Sequence, residues 1–466
     1  MGAGLTVCLL VLAWASGAHA ADPELSLTAA VRQALDSNLD LLSRRRALAA
    51  SREEIGVARS ALLPQVGVGA RAQVLDAKRA DSARGNNLQE SVLLAAGLQQ
   101  VLYDEPAWAG YQIQQHVYDG QVQELESFQL GVVQDAAGAF LALDQSQVEL
   151  DIQERNRELT RRNRETSRAR IAAGWSSERE VLRWDIQLAA NDSSVRAAQV
   201  GVLQGRFELN RVRNRPPETV SDPARTTLED YGFLYAREAI AAAIVAPEED
   251  QAMRNFLVRV GLRRAPELAA LDAGIAAAER QLVASQRAFW VPSLNLAAGV
   301  DYLANNKGGN EFNVTEWGVK GVFTFPLVLG GAKFANLGKS QEDLASLRTA
   351  RGALTITLEQ TIRSALAQAS GAYESIGFAQ RETAAAQKNY ELVDASYTLG
   401  VASILDLRDA QNQLLDAELK LTDVSYGFFA DLIAAERAIA YFSFLEDPTE
   451  VAAILDQLEQ ALGVQP

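Results

Sequence analysis

The sequence predicts an α+β chain built from two copies of one unit, each pairing very long coiled-coil-like helices with a single β-hairpin. Two observations predict it. An alanine-rich helical stretch that ends at a proline and passes into strict alternation occurs twice, at Pro64 and Pro292. Nearly proline-free runs over 105–173 and 331–399 then follow the alternating segments, and they stop at Gly174 and Gly400, 226 residues apart. Proline ends a helix and can open a strand, whereas glycine just past a helix is a stop signal. A period of this length marks an internal repeat, and it governs how every other segment is read.

The chain opens with an apolar stretch, Leu5 to Gly17, followed by Ala18-His19-Ala20, which reads as a secretory signal over residues 1–20. The stretch is too short for a permanent membrane helix, which needs about 20 residues. Its removal leaves His116 as the lone histidine and no cysteine, out of two His and one Cys in 466 residues. Zinc, haem, iron–sulfur and thiol sites are built mostly from those two residue types, so most metalloenzyme and thiol-enzyme readings fall away, and no cofactor is expected. His116, among Gln and Tyr, reads as a surface or groove residue. The net charge of −15 disfavours a nucleic-acid partner, which requires a basic face.

The first repeat covers 21–213. A lead-in helix, about Thr28 to Leu63, precedes a hairpin over 65–103, a long helix over 105–173 and a return helix over 177–213. An irregular, proline-containing linker, 214–251, joins it to the second repeat over 252–445. There a lead-in helix is followed by a hairpin over 293–326, a long helix over 331–399 and a return helix over 403–445. Residues 446–466 form a tail or short helix. Each ~68-residue run would reach about 100 Å as one helix, more than a globular domain requires. The last return helix carries a seven-residue register, Leu407, Leu414, Leu421, Phe428, Ala435 and Phe442, and a second stripe at Leu415, Leu419, Phe429 and Ile433. Helices with neighbours on two sides and a polar third side suit a hollow wall.

In the second hairpin Leu294, Leu296, Ala298, Val300 and Tyr302 face one way, and after the polar loop Asn305 to Asn310, Trp317, Val319, Phe323 and Phe325 do likewise. In the first hairpin Val66, Val68, Ala70, Ala72 and Val74 alternate with polar residues, its loop runs from Lys78 to Glu90, and Ser91–Tyr103 sorts less cleanly. A hairpin on a soluble core would alternate too. Strands of about 10–13 residues, however, exceed the usual 5–6 and match the 9–11 that cross a bilayer. Aromatics at Tyr103, Phe289, Trp290 and Phe325 stand near strand ends, where a membrane interface favours them. In lipid no edge can stay open, and four strands cannot close, so the chain must oligomerise.

The helix–proline–strand units at Pro64 and Pro292, the strand exits Leu102-Tyr103-Asp104 and Phe325 to Gly331, and the segment Tyr397 to Asp406 together resemble the TolC-like outer-membrane efflux proteins. The resemblance covers nearly all of the chain after the signal. It implies a homotrimer whose chains supply four strands each to one twelve-stranded barrel in outer-membrane lipid, above an α-helical barrel in the periplasm. It further implies a passive exit duct of a tripartite efflux pump or type I secretion system. Its partners would be a periplasmic adaptor (membrane fusion) protein and an inner-membrane RND, ABC or MFS pump.

By the same resemblance, Asp406 and Asp409 match the two aspartates of an acidic ring at the periplasmic entrance. They lie one helical turn apart, and charged rings of this kind attract cations. Ser403 and Asp406 also fit a capping box, as do Ser177 and Glu180. Glu180 falls where the family often carries a gate acid, and Tyr397 on a tyrosine that in some members locks the aperture. Arg183 replaces the partner of Asp409, and Ala402 stands where such members have the arginine of the lock. Closure would then use Arg179, Arg183 or Arg408 against Asp406, Asp409 and Glu180. The turns Gly174-Trp175-Ser176 and Gly400-Val401-Ala402 would meet the adaptor, with Trp175 either exposed or folded back on its helix. Against all this stands a secreted or soluble coiled-coil scaffold without channel activity. No P-loop, dinucleotide fingerprint, nucleophile elbow or metal-ligand cluster is present, so no enzyme is expected.

Overall fold

The structure, a computed structural model, describes residues 24–462 apart from 77–88, 176, 228–246, 308–314, 326 and 328. The signal segment, Ser176 and most of both hairpin loops therefore lie outside the described residues. In the first repeat the elements are α1 (Leu27–Ser37), α2 (Leu39–Ser60), β1 (Gln65–Val74), β2 (Glu90–Tyr103), α3 (Glu105–Ala172) and α4 (Glu178–Val212). In the second they are α5 (Pro247–Arg264), α6 (Pro266–Arg287), β3 (Ser293–Lys307), β4 (Thr315–Thr324), α7 (Ala332–Thr398), α8 (Ile404–Ala438) and α9 (Pro448–Leu462). No helix among the described residues is long and apolar enough to cross a membrane.

Four boundaries depart from the sequence reading. The first lead-in helix is broken at Asn38, whose side chain accepts the Leu41 amide at 3.0 Å and so starts α2 afresh. The linker gives up its last residues to α5, which opens with Pro247 in the first turn, where a missing N–H costs nothing. Asn305 to Lys307 continue β3 and do not begin the loop. The last return helix stops at Ala438, well short of residue 445. Ala440 takes a left-handed φ of 54°, and the Tyr441 amide donates back to the Glu436 carbonyl at 2.9 Å. Phe442 thus falls outside the helical register. Burial raises the Glu436 carboxyl at this stop to about 8, although the Ser443 amide and hydroxyl both donate to it.

The chain divides into two compact units. One comprises 37–134, 232–375 and 427–466, and its described residues form an antiparallel sheet in the order β1-β2-β3-β4. The register settles the face that β2 left ambiguous. Val68 pairs with Ala96, Ala96 with Val300 and Val300 with Trp317, while Val66, Leu98, Ala298 and Val319 form the neighbouring row. The even-numbered residues of β2 therefore join the apolar face, and β1 and β4 are exposed along their whole length. On the opposite face Gly67, Gly97, Gly299 and Gly318 stand partner to partner across all four strands. Beside them run the rows Gln65, Gln99, Ala297, Lys320 and Gly69, Ala95, Asp301, Glu316. Below the exit of β2, the buried Glu105 accepts from Tyr103 Oη at 2.5 Å and pairs with Arg280 at 2.7 Å and Arg287 at 3.3 Å.

The other unit comprises 1–36, 135–231 and 376–426. It packs the later part of α3 and the end of α7 with α4 and most of α8. Its core is unusual for a coiled coil. Leu407, Ala410, Leu414 and Ala417 of α8 are buried at apolar seam positions, whereas α3 buries Asn156, Thr160, Asn163 and Ser167 at the corresponding spacing. These polar groups pair across the helices, although Asn156 Nδ2 finds no acceptor. Gln411 Nε2 donates to Asn156 Oδ1 at 2.7 Å and to Thr160 Oγ1 at 2.8 Å, and Asn163 Nδ2 donates to Gln411 Oε1 at 2.8 Å. Asn191 Nδ2 of α4 donates to Thr160 Oγ1 at 2.7 Å. Buried polar groups that find partners in this way fix which residues meet across a seam.

Candidate functional site

The candidate site lies in this second unit, at the two turns joining α3 to α4 and α7 to α8. Both have one backbone design. Gly174 has φ 78° and Gly400 φ 82°, and the residue after each donates its amide five positions back, Trp175 to Arg170 at 2.8 Å and Val401 to Ser396 at 2.9 Å. This satisfies the last carbonyls of a helix with a residue type that adopts positive φ without strain. Trp175 is 71% exposed and Val401 83%, so the indole does not fold back on its own helix. Ala402 instead turns inward, packing against a core of Trp184, Tyr390, Tyr397, Ile404, Leu407, Ala410 and Leu414.

Beyond Gly400 the capping box is formed. Asp406 Oδ2 accepts the Ser403 amide at 2.9 Å and its hydroxyl at 2.8 Å, and the Asp406 amide donates to Ser403 Oγ at 3.3 Å. These bonds from Ser403 hold the Asp406 carboxyl below the usual range. Asp409, one turn on, is exposed and accepts from Gln413 Nε2 at 2.8 Å. Beyond Gly174 the expected box is absent. Ser177 makes no side-chain cap, and the Glu180 amide donates to the Ser177 carbonyl at 3.0 Å.

Glu180 is drawn elsewhere, to Tyr397 of the other repeat, whose hydroxyl donates to Glu180 Oε2 at 2.8 Å. Tyr397 is 1% exposed and sits in a network that sequence reasoning did not find. Its hydroxyl also hydrogen-bonds to Ser167 Oγ at 2.7 Å, and Trp184 Nε1 donates to the same Ser167 at 2.9 Å. The Arg170 guanidinium stacks 4.3 Å from the Tyr397 ring and donates to its backbone carbonyl. Burial, reinforced by the Glu180 carboxylate, pushes the phenol pKa up, with Ser167 acting in the opposite sense. The group is therefore a proton donor throughout the ordinary pH range. The resemblance named Tyr397 and Glu180 of this cluster, and Trp184 on a polar return helix is a further signal that could have extended it. Nothing in the pattern singled out Ser167 or Arg170.

Within the chain, no ion pair links Arg179, Arg183 or Arg408 to Asp406, Asp409 or Glu180 among the described residues; Arg179 is exposed and the other two arginines are half-buried. Nor does any group of three or more His, Cys, Asp or Glu able to hold a metal occur among the described residues.

Comparison with known proteins bears on both repeats. The sequence profile described as outer membrane efflux protein matches residues 30–212 and 257–438. The chain is 23% identical over 422 residues to the outer membrane protein TolC of Salmonella enteritidis, covering 88% of this chain and 80% of that one. It is 22% identical over 426 residues to the outer membrane efflux protein BepC of Brucella suis, covering 89% and 84%. Among solved structures, the open state of the MtrE outer membrane channel of Neisseria gonorrhoeae superposes with a TM-score of 0.71 at 18% identity, over 90% of this chain and 89% of that one. These relatives do not favour a soluble scaffold, and theirs is a family of efflux channels. The chain belongs to the outer membrane efflux protein family and is an outer-membrane efflux duct with a helical periplasmic part.

Proposed function

We propose that three copies close one twelve-stranded barrel and that the turns at Gly174 and Gly400 form its periplasmic aperture, offered to an adaptor protein of a tripartite pump or type I secretion system. The observation that carries the reading is the sheet itself: four strands with β1 and β4 exposed at the two edges and one face apolar across its middle rows, from Val66, Leu98, Ala298 and Val319 to Val68, Ala96, Val300 and Trp317. Such a sheet is stable in lipid only when other copies complete it. Asp406 and Asp409 then stand on one exposed helical face near the aperture and, by threefold symmetry, place six carboxylates around it. The Tyr397–Glu180 bond ties the two repeats together beside the turns and is the intrachain part of a lock. Arg179, Arg183 and Arg408 are its candidate partners between chains, and Gly174, Trp175, Gly400 and Val401 are the adaptor-facing residues.

Purified protein in detergent should sediment as a trimer and form cation-selective pores in planar bilayers that multivalent cations block from the periplasmic side. D406N/D409N should abolish the block and leave assembly intact. A monomer that forms no pores, or cation block unchanged in the double variant, would overturn the duct assembly and the acidic ring respectively.

A further inference from the structure

On the polar face of the sheet two carboxylates stand directly opposite each other: Asp301 of β3 is the rung partner of Glu316 of β4. Like charges placed in this way repel. Among the described residues neither has an ion-pair or hydrogen-bond partner, and the same holds for Arg71, the one charged residue of β1. All three side chains are exposed, and Arg71 and Glu316 lie on the two open edges of the sheet.

Those edges restrict how a second copy can join. β1 and β4 are each ten residues long. Antiparallel pairing that keeps polar face with polar face can slide only in steps of two residues. Across one copy, the rung that starts at Gln65 passes through Gln99 and Ala297 and leaves at Lys320. Closing Lys320 onto Gln65 of the next copy would pair only six residues of each edge and leave the strands untilted. A slide of four residues brings the edges into full overlap, with Thr324 on Gln65 and Thr315 on Val74, whereas slides of two or six pair eight. With full overlap the rungs climb four residues per copy. Over three copies that is roughly 41 Å of climb around twelve strands spaced about 4.8 Å apart, which gives a tilt of about 35°. Closed barrels tilt by about this much.

In this register Arg71 of the next copy falls opposite Gly318, in line with Gly299 and Gly97. Nothing within the chain occupies the space above Gly318. Glu316 becomes the diagonal neighbour of that arginine, about 7–8 Å away and within reach of a long side chain, and Asp301 stands directly behind Glu316. We propose that Arg71 of one copy crosses the seam over Gly318 of its neighbour and neutralises the Asp301–Glu316 pair there, so fixing the register in which the barrel closes. This rests on the reading of three copies as one barrel. A guanidinium offers several donors in a planar fork and can serve two carboxylates at once. The repulsion that weakens the hairpin of a lone copy thereby becomes a reason to accept a second one.

Cross-linking of the full-length protein in membranes tests the register. Q65C/T324C should give a disulfide-linked trimer on a non-reducing gel. Within one chain these positions lie three strand spacings apart, roughly 14 Å, too far for a disulfide, so the link reports contact between copies. Q65C/V322C and Q65C/K320C report slides of two and of zero, and a cross-link confined to either overturns the register. R71E tests the ion pair: it should raise the trimer dissociation constant in detergent about eightfold, roughly a factor of two at each of three seams. R71E/E316R should return it to the wild-type level, and assembly regained in the double variant supports the bridge even where R71E alone does not assemble. An R71E trimer as stable as wild type, or a double variant no better than R71E, overturns the bridge. Wild-type protein that stays monomeric removes the barrel and the bridge together, whereas trimers that none of the three cysteine pairs cross-links keep the assembly and remove this seam.

Discussion

The turns at Gly174 and Gly400 share a backbone and differ in what their first acid does. Ser403 and Asp406 close on each other, whereas Ser177 and Glu180, at the same spacing, do not, and Glu180 takes the Tyr397 hydroxyl instead. The backbone is kept because it is enforced locally, by a positive-φ glycine and a six-residue hydrogen bond. The side chains diverge because a carboxylate in a first helical turn has two places to go. Aspartate is short and returns to its own cap. Glutamate is one methylene longer and reaches across to the neighbouring helix. A duplicated unit has thus become one self-contained turn and one turn fastened to its counterpart.

The strongest way to break this contrast is through the core beneath the fastened turn. Trp184→Ala removes a fully buried indole and the donor to Ser167, and should cost about 3–5 kcal/mol in denaturant unfolding. A loss below about 1 kcal/mol would show that the cluster does not support the turn. Exchanging the acid lengths addresses the contrast itself. Glu180→Asp should withdraw the carboxylate from Tyr397, cost about 1–2 kcal/mol and raise channel conductance. An unchanged conductance would place Glu180 outside any lock. Ser403→Ala should cost about 1 kcal/mol, against almost nothing for Ser177→Ala, because only the former hydroxyl caps a helix; equal losses would erase the distinction.

The smallest effect is one of pH. The depressed pKa of Asp406 means that its contribution is present above the ordinary carboxyl range and is lost as pH falls through the lowered value. Below about pH 4 the Gly400 turn should therefore loosen. Amide exchange over 400–407, corrected for its intrinsic pH dependence, should show this in the wild type and not in Asp406→Asn. A response of equal size in the variant would assign it to another group.

The architecture was legible because its signals are periodic or local: alternation gave three of the four strand faces, and the prolines and turn glycines gave the joints. β2 was not legible alone, because Leu93, Leu94, Ala95 and Ala96 present no polar contrast, and its face became defined only through pairing with Val68 and Val300. The break at Asn38 was hidden because the apolar pattern on either side hardly changes. Ser403–Asp406 could be read from spacing, since both partners lie in one turn. The partner of Glu180 is supplied by a segment 217 residues away, and no spacing rule connects the two.

The glycine row has its own geometric consequence. The repeat offset that carries Pro64 onto Pro292 would carry Gly67 onto Asn295, so its alignment with Gly299 is not inherited from the duplication. A Cβ at Gly67 or Gly318 would meet nothing within 4 Å, so packing does not demand the missing side chains. In a closed barrel, strands tilt by about 35–45° and their hydrogen-bonded rows climb as they go round. Three such rows would not make a level ring. They would cut three slanted grooves into the wall, each bordered by a ridge carrying Asp301 and Glu316, and the bore of the duct would be rifled.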